Sequence, residues 1–342
     1  MVIRAVLALA ALVAAAAPAM AQPAQPGPTL TQVRQRGFLS CGVPPGVPGF
    51  GASDASGQWR GLEADICRAI AAATLGDAQK ARFTPLSSQA RFPALQSGEV
   101  DVLTRAVTWT QARDTSLGFN FVTVTFYDGQ GFLTRRSPGV RRASDLQGAT
   151  ICTFAASTSE ANLADWARAN GVAYTAVLVD QPAAMRAAYE EWRCAAMSTD
   201  ASQLVGLLTT LRNPAEHQVL PDRISKEPLA PAVRHGDEQW TDIVRWTVFA
   251  LIEAEELGVT SENADAMRSS ENPAIRRLLG VTGEHGPMMG IDAGWAYEAI
   301  LQVGNYGEIF ERNLGQGSPI GLARGVNDLW TRGGLMYSPP IR

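Results

Sequence analysis

Short apolar segments alternate with segments of helical periodicity along most of this chain. Strands are predicted at residues 37–43, 81–86 and 100–103, where apolar residues form short runs bounded by turn residues. Apolar residues recur every three or four positions over 62–73, which predicts a helix, and a shorter helix is predicted over 91–95. This alternation of strands and helices is typical of an α/β fold.

The middle of the chain repeats the alternation. Strands are predicted at 150–154, 174–179 and 194–197. The four residues from Ser157 to Glu160 fit a capping box, in which the Ser157 hydroxyl accepts from the Glu160 amide and the Glu160 carboxylate accepts from the Ser157 amide. We therefore expect a second α/β unit whose first helix begins at Ser157.

The last third of the chain has a different pattern. Residues 242–257 predict one long helix with an apolar face, and 261–342 are mainly helical with glycine and proline interruptions. The segment contains no motif with an evident chemistry. We expect it to extend the fold as a set of supporting helices.

The N-terminus has the pattern of an export signal. Arg4 precedes an unbroken apolar run over 5–17, which is too short for a stable membrane anchor, and residues 19–21 (Ala-Met-Ala) fit a cleavage site. We expect residues 1–21 to be a signal peptide and the mature exported chain to begin near Gln22. A buried N-terminal helix is the alternative.

Composition narrows the function further. The chain has 342 residues, of which 46% are hydrophobic and 18% charged, and this composition indicates a globular protein large enough for two domains. The formal net charge of -4 argues against a nucleic-acid-binding protein, which needs a basic face.

Four cysteines in an exported chain suggest disulfide bonds. They allow three pairings, and the simplest keeps each bond within one cluster, joining Cys41 to Cys67 and Cys152 to Cys194. Free buried thiols are the alternative. A zinc site is less favoured because the cysteine spacing is not that of a zinc motif and the histidines are scattered. We expect no metal and no cofactor.

Several motifs resemble those of polar-amino-acid-binding proteins. Residues 98–103, the threonine-rich turn at 108–113 that ends in an arginine, and Phe121 carry this resemblance. Across 29–342 the chain is similar to the general L-amino-acid-binding subfamily of the family 3 solute-binding proteins. That closer match lies in residues 50–61, 114–118, 127–132, 199–202, 224–229, 305–313 and 333–337.

The resemblance implies a two-lobed periplasmic-binding-protein fold of type II, with crossing strands near 130–133 and 228–233. The first lobe would take residues 22–131 and would be completed by 228–342, which includes the helical extension; the second lobe would take 132–227. Such a protein binds L-amino acids between its lobes, closes by hinge motion and docks on the permease subunits of an ABC importer. We expect a monomer and no enzymatic activity.

In the first lobe the resemblance assigns Arg113 to the ligand carboxylate, which a planar guanidinium matches with two donors. Thr108 would contact the groups on the α-carbon, although it could instead cap the turn after it. Arg105, expected in the preceding loop, would reach a ligand side chain or remain solvated. Val47 and Phe50, in the loop after the first strand, would form an apolar wall for the ligand side chain, with a plain turn as the alternative.

In the second lobe Ser157 and Thr158 would present helix amides to the carboxylate, with simple capping as the alternative. Asp200 would bind the ammonium group, with a helix N-cap as the alternative. The chain departs from the family at Ala155-Ala156, where a polar residue and a glycine are usual, so Ala156 could narrow the approach to the ligand. It departs also at Ala195 and at Pro44-Pro45.

Other functions fit the same scaffold. A periplasmic dehydratase of a cyclic carboxylate would need a general acid in the cleft, for which Glu63 and Glu99 are weak candidates. A signalling receptor usually carries a membrane helix or a fused domain, and the sequence predicts neither. A nucleophilic hydrolase is disfavoured because the chain lacks a G-x-S-x-G motif.

Overall fold

The computed structural model describes residues 24–137 and 139–342, so the predicted signal peptide lies outside the described residues. The strands are β1 (Leu39–Val43), β2 (Ala52–Ser53), β3 (Trp59–Arg60), β4 (Ala81–Pro85), β5 (Val102–Thr108), β6 (Phe119–Phe121), β7 (Phe126–Asp128), β8 (Gln130–Arg135), β9 (Ala149–Phe154), β10 (Tyr174–Val179), β11 (Ala196–Asp200), β12 (His217–Val219) and β13 (Glu227–Arg234).

The α-helices are α1 (Pro28–Arg36), α2 (Leu62–Leu75), α3 (Arg91–Ser97), α4 (Gln111–Thr115), α5 (Thr158–Asn170), α6 (Pro182–Glu190), α7 (Ala201–Leu208), α8 (Glu238–Glu256), α9 (Ala264–Met267), α10 (Pro273–Leu278), α11 (His285–Met288), α12 (Trp295–Val303) and α13 (Tyr306–Asn313). Among the described residues, no helix combines the length and apolar character that crossing a bilayer requires.

The strands form two larger sheets and a short hairpin of β2 and β3. The first sheet has the order β4-β1-β5-β13-β6, with β7 also paired to β13, and the second has the order β10-β9-β11-β8-β12. Within each sheet the strands of the α/β units run parallel, whereas β13 and β8 pair antiparallel with their neighbours. We call the parts of the chain around these sheets the first and second lobes.

The chain passes between the sheets twice, at Gly129 and between β12 and β13. This arrangement confirms the α/β, two-lobed fold with two crossing segments. The lobe boundaries proposed from sequence, at 131/132 and 227/228, remain predictions. The second sheet already begins with β8 at Gln130, and the predicted crossing at 228–233 lies inside β13 of the first sheet.

The C-terminal helices complete the core of the first lobe. α12 packs against α2, and α13 packs against both α2 and α8. Ile300, Tyr306 and Phe310 are buried in the same apolar cluster as the α2 residues Ile66 and Ile70. The helical extension is therefore part of the first lobe's core.

Both disulfides form the pairs that the simplest sequence interpretation gave. Cys41 of β1 joins Cys67 of α2 with their Cα atoms 6.3 Å apart, and Cys152 of β9 joins Cys194 with a Cα separation of 5.7 Å. Each bond stays within one lobe. On the chain-entropy model each stabilises the fold by roughly 3–4 kcal/mol.

The capping box before α5 differs from its prediction in one bond. The Ser157 hydroxyl accepts from the Glu160 amide at 3.2 Å, as expected. The Glu160 carboxylate, however, accepts from the Ala156 amide at 2.9 Å instead of from Ser157. Ala156 has a left-handed φ of 53°, and its amide is the one that meets the carboxylate. The resemblance gives glycine as the usual residue here, and glycine adopts this conformation without strain.

Candidate functional site

A cavity lies between the two lobes. It is bounded by β5, by the start of α3 and α4, and by the first turns of α5 and α7. Seven of the eight residues predicted to contact a ligand line it: Val47, Arg105, Thr108, Arg113, Ser157, Thr158 and Asp200. The structure therefore brings together residues that lie more than 150 positions apart.

Arg113 lies in α4, a short helix whose first turn is capped by Thr110. Its guanidinium donates through Nη1 to the Thr108 carbonyl at 2.8 Å and lies 5.2 Å from the centre of the Phe92 ring. Burial lowers the pKa of Arg113, and the carboxylates of Glu227 and Asp200 oppose that shift. These contacts fix the guanidinium at the cavity wall.

Thr108 is the last residue of β5, so it lies on a strand, and Thr110 takes the capping position that was an alternative for Thr108. The Thr108 hydroxyl lies 3.2 Å from the Thr158 hydroxyl of the second lobe. Both hydroxyls donate to the same oxygen of Glu227. The two lobes are therefore in direct contact across the cleft.

Glu227 is a site-forming residue that sequence reasoning missed. It is buried at the start of β13, and it also accepts hydrogen bonds from Asn162 and Ser225, each at 2.6 Å. The residue lies in the segment 224–229 that contributed to the family resemblance, so that segment was the available signal. Its carboxylate connects the first lobe, the second lobe and the crossing segment.

Asp200 ends β11 and occupies the N-cap position of α7. Its side chain accepts no capping hydrogen bond from the described residues, so the capping alternative is not supported. Gln203, a cavity residue not identified from sequence, donates to its Oδ2. Burial raises the pKa of Asp200, the negative charges of Asp128 and Glu227 add to this shift, and nearby arginines oppose it. A cation entering the cavity would stabilise the ionised form.

Two further guanidiniums line the cavity. Arg105 lies within β5, not in a loop as expected, because pairing with β13 extends that strand to Thr108. It donates through Nε to the Leu86 carbonyl at 2.6 Å and through Nη2 to the Ser88 hydroxyl at 3.3 Å.

Arg91, the first residue of α3, was not identified from sequence as a site residue. It is only 3% exposed, and its Nη2 lies 3.4 Å from the Ala156 carbonyl of the second lobe. Its one sequence signal was a charge at the start of a short apolar helix, which is equally typical of a surface residue.

The apolar wall contains Val47 and Pro44 but not Phe50. Phe50 is fully buried in the core of the first lobe, with its ring centre 5.4 Å from that of Phe126 in an edge-on arrangement. Gly49, at a φ of 81°, turns the chain immediately before it. The predicted position of Phe50 in the wall is therefore not observed.

At the start of α5 the side chains are already engaged. The Ser157 hydroxyl donates to the Phe154 carbonyl and caps the helix, while that of Thr158 donates to Glu227. What this turn offers a ligand is the positive end of a 13-residue helix. Ala155, Ala156 and Ala195 lie outside the cavity lining. Ala156 contacts the lining residue Arg91 through its carbonyl, which accepts a hydrogen bond from the guanidinium.

Glu63 lies behind the cavity wall, outside its lining. Its Oε1 accepts from the amide of Ala106 at 2.9 Å, and Ala106 has a left-handed φ of 49°. Burial raises the pKa of Glu63 to about 7. The residue therefore supports the backbone next to Arg105, while Glu99, the other candidate acid, is exposed elsewhere.

Comparison with known proteins gives consistent results. Residues 39–263 match the family described as bacterial extracellular solute-binding proteins, family 3. The chain is 52% identical over 316 residues to the general L-amino acid-binding periplasmic protein AapJ of Rhizobium johnstonii, covering 92% of this chain and 93% of the relative. It is 50% identical over 337 residues to the glutamate/glutamine/aspartate/asparagine-binding protein BztA of Rhodobacter capsulatus, covering 98% and 97%.

A solved structure gives the same result at the level of the fold. An ABC transporter periplasmic binding protein from Brucella ovis, with glutathione bound, is 49% identical and superposes with a TM-score of 0.90. The match covers 92% of this chain and 99% of the Brucella chain. Together with the two sheets and the cavity between them, these matches confirm the resemblance seen in the sequence. The chain belongs to family 3 of the bacterial extracellular solute-binding proteins.

Proposed function

We propose that this chain is the periplasmic binding component of an ABC importer and that it binds L-amino acids in the cavity between its lobes. One observation carries the proposal: Arg113 of the first lobe and Asp200 of the second are buried side chains of opposite charge that line one cavity. A free amino acid carries a carboxylate and an ammonium group a few ångströms apart. The cavity therefore offers one partner to each end of the zwitterion.

The two-lobed arrangement gives the binding mechanism. Arg113 and Thr108 receive the carboxylate side of the ligand, and Asp200 and the N-terminus of α5 complete the site when the lobes close. Closure is favoured only if the ligand contacts both lobes, because a ligand shifts an equilibrium by its differential affinity for the two states. The crossing segments at Gly129 and before β13 provide the hinge.

The relatives support a binding function over an enzymatic one. AapJ and BztA carry the names of binding proteins, and AapJ is described as periplasmic. The acidic candidates for a dehydratase mechanism, Glu63 and Glu99, lie outside the cavity lining. We extend the proposal to cleavage of residues 1–21 during export, to a monomeric mature protein and to docking of the closed form on the importer's permease subunits.

The proposal is tested with protein freed of ligand by unfolding and refolding. Thermal unfolding is measured with each of the twenty L-amino acids, and with glutathione because the Brucella relative holds it. A ligand at 100 times its dissociation constant adds about 2.7 kcal/mol to the free energy of unfolding. At least one amino acid should raise the unfolding temperature. If no amino acid raises the unfolding temperature, the proposal is contradicted.

Arg113→Ala tests the carboxylate contact. Loss of a charged hydrogen-bond partner should weaken amino-acid binding by about 10- to 100-fold, measured by titration calorimetry. Arg212→Ala is the matched control because its side chain is 84% exposed and lies outside the cavity. An Arg113→Ala protein that binds like the control excludes Arg113 from the site.

A further inference from the structure

The cavity contains more positive charge than a neutral amino acid can use. Three guanidiniums line it, those of Arg91, Arg105 and Arg113, together with one carboxylate, that of Asp200. The carboxylate of Glu227 lies at its edge, where four side chains donate to it. If the α-carboxylate of the ligand binds Arg113 and its ammonium group binds Asp200, the positive charges of Arg91 and Arg105 remain to be balanced by negative charge.

Of Arg91 and Arg105, Arg91 has fewer hydrogen bonds to its guanidinium. It is 3% exposed, and its Nε makes no hydrogen bond with the described residues. Its contact through Nη2, to the Ala156 carbonyl, is long at 3.4 Å. Nor does Arg91 form an ion pair with any carboxylate in the described parts of the chain. A buried cation with an unused donor is costly unless an anion binds there.

Arg105 places a second positive charge beside it. The side chain is held by the Leu86 carbonyl and the Ser88 hydroxyl, both of which are uncharged acceptors. The negative charges of Asp200 and Glu63 favour its charged form, but in the described residues the guanidinium donates no hydrogen bond to either carboxylate, so it can still bind an anion on a ligand. Burial lowers the pKa of Arg91, and the positive charge of Arg105 lowers it further, so an anion bound beside both guanidiniums would relieve that repulsion.

We propose that Arg91, with Arg105 beside it, binds a second carboxylate on the ligand, so that the site prefers amino acids with acidic side chains over their amides. This inference rests on the proposed function, because it takes Arg113 and Asp200 as the partners of the α-carboxylate and ammonium. An acidic amino acid brings one net negative charge into a cavity lined by three guanidiniums and the Asp200 carboxylate. With the Glu227 carboxylate counted at the edge, the site has an excess of one positive charge. A neutral amide leaves that excess uncompensated.

A structural role for Arg91 is the competing explanation. Its contact with the Ala156 carbonyl crosses the cleft, so the side chain could act only as a latch between closed lobes. A latch would strengthen the binding of every ligand equally. A carboxylate subsite distinguishes L-glutamate from L-glutamine, which has almost the same shape but no side-chain charge.

The experiment measures dissociation constants by titration calorimetry for L-glutamate, L-glutamine, L-aspartate and L-asparagine. The wild-type protein should bind each acid at least about tenfold more tightly than its amide, as expected for a charged hydrogen bond. Arg91→Gln should weaken L-glutamate binding by about 10- to 100-fold and change L-glutamine binding by less than about threefold. Arg212→Gln removes the same charge from an exposed position and should leave all four constants unchanged.

Three outcomes overturn the inference. Equal wild-type affinity for acid and amide excludes a second carboxylate site, and this comparison needs no variant to fold. If Arg91→Gln weakens the binding of L-glutamate and of L-glutamine equally, Arg91 acts as the latch. Arg91→Lys is a second variant, which retains the positive charge. Binding of amides alone overturns the inference but leaves the proposed function intact, whereas failure to bind any amino acid removes the proposed function itself.

Discussion

Buried charged residues at the cleft depend on one another. Burial lowers the pKa of Arg113, and nearby carboxylates oppose that shift. Burial raises the pKa of Asp200, the negative charges of Asp128 and Glu227 raise it further, and nearby arginines oppose the rise. Glu63 is different. Its carboxylate accepts a hydrogen bond from a backbone amide, and the positive charge of Arg105 partly compensates its negative charge. One carboxylate oxygen still has no hydrogen-bond partner in the described residues. The residue therefore costs stability when ionised.

Replacement of Glu63 by glutamine should change how stability depends on pH. Burial raises the pKa of Glu63 to about 7 from an ordinary value of 4.5. Between these values the folded protein keeps a proton that the unfolded chain has released, so the free energy of unfolding falls as pH rises. Glu63→Gln should remove this part of the decline, because its side-chain oxygen can still accept from the Ala106 amide.

The measurement is the difference in unfolding free energy between Glu63→Gln and wild type at several pH values. The variant should gain up to about 3 kcal/mol relative to wild type between pH 4 and pH 8, since each pKa unit corresponds to about 1.4 kcal/mol. Subtracting the wild-type free energy of unfolding from that of the variant removes the contributions of the other titrating groups. A difference that is independent of pH contradicts the raised pKa.

At the level of elements, local patterns predicted most strands and helices. The helix over 62–73 and the strand over 174–179 were found because apolar periodicity and turn residues define them without distant contacts. Strand β5 was predicted too short because its second half, from Thr104 to Thr108, is held in the sheet by pairing with β13, a strand more than 100 residues away. Arg105 was consequently placed in a loop.

The candidate site was predicted less completely than the fold. Arg113, Thr108 and Asp200 could be named from the family resemblance. Arg91 and Glu227 could not, because their roles arise from contacts across the cleft and neither residue type nor spacing indicates such contacts. Phe50 was misplaced because an aromatic residue in a glycine-rich loop fits a pocket wall as well as a core.

The C-terminal helices should be energetically part of the first lobe. Phe310 of α13 is 1% exposed, and its ring is parallel to that of Phe126, with the centres 6.3 Å apart. Phe310→Ala should therefore lower the free energy of unfolding by about 3–5 kcal/mol, measured by urea titration. Tyr337→Ala removes an aromatic ring that is 56% exposed and should cost less than about 1 kcal/mol. Similar small effects for both variants would contradict a shared core.

The whole molecule consists of two α/β lobes that meet around a charged cavity. Each lobe has its own sheet and its own disulfide, so each can keep its shape while the crossing segments bend. In the structure Thr108 and Thr158 share Glu227, which places the lobes in contact. We infer that ligand binding and closure are a single coupled event in this protein.

A crystal structure of the ligand-stripped protein after addition of L-glutamate tests the central claim most directly. We expect the α-carboxylate within hydrogen-bonding distance of the Arg113 guanidinium and the ammonium group within that distance of the Asp200 carboxylate, about 2.7–3.0 Å in each case. An amino acid bound outside this cavity, or one held without contact to either Arg113 or Asp200, would contradict the proposal.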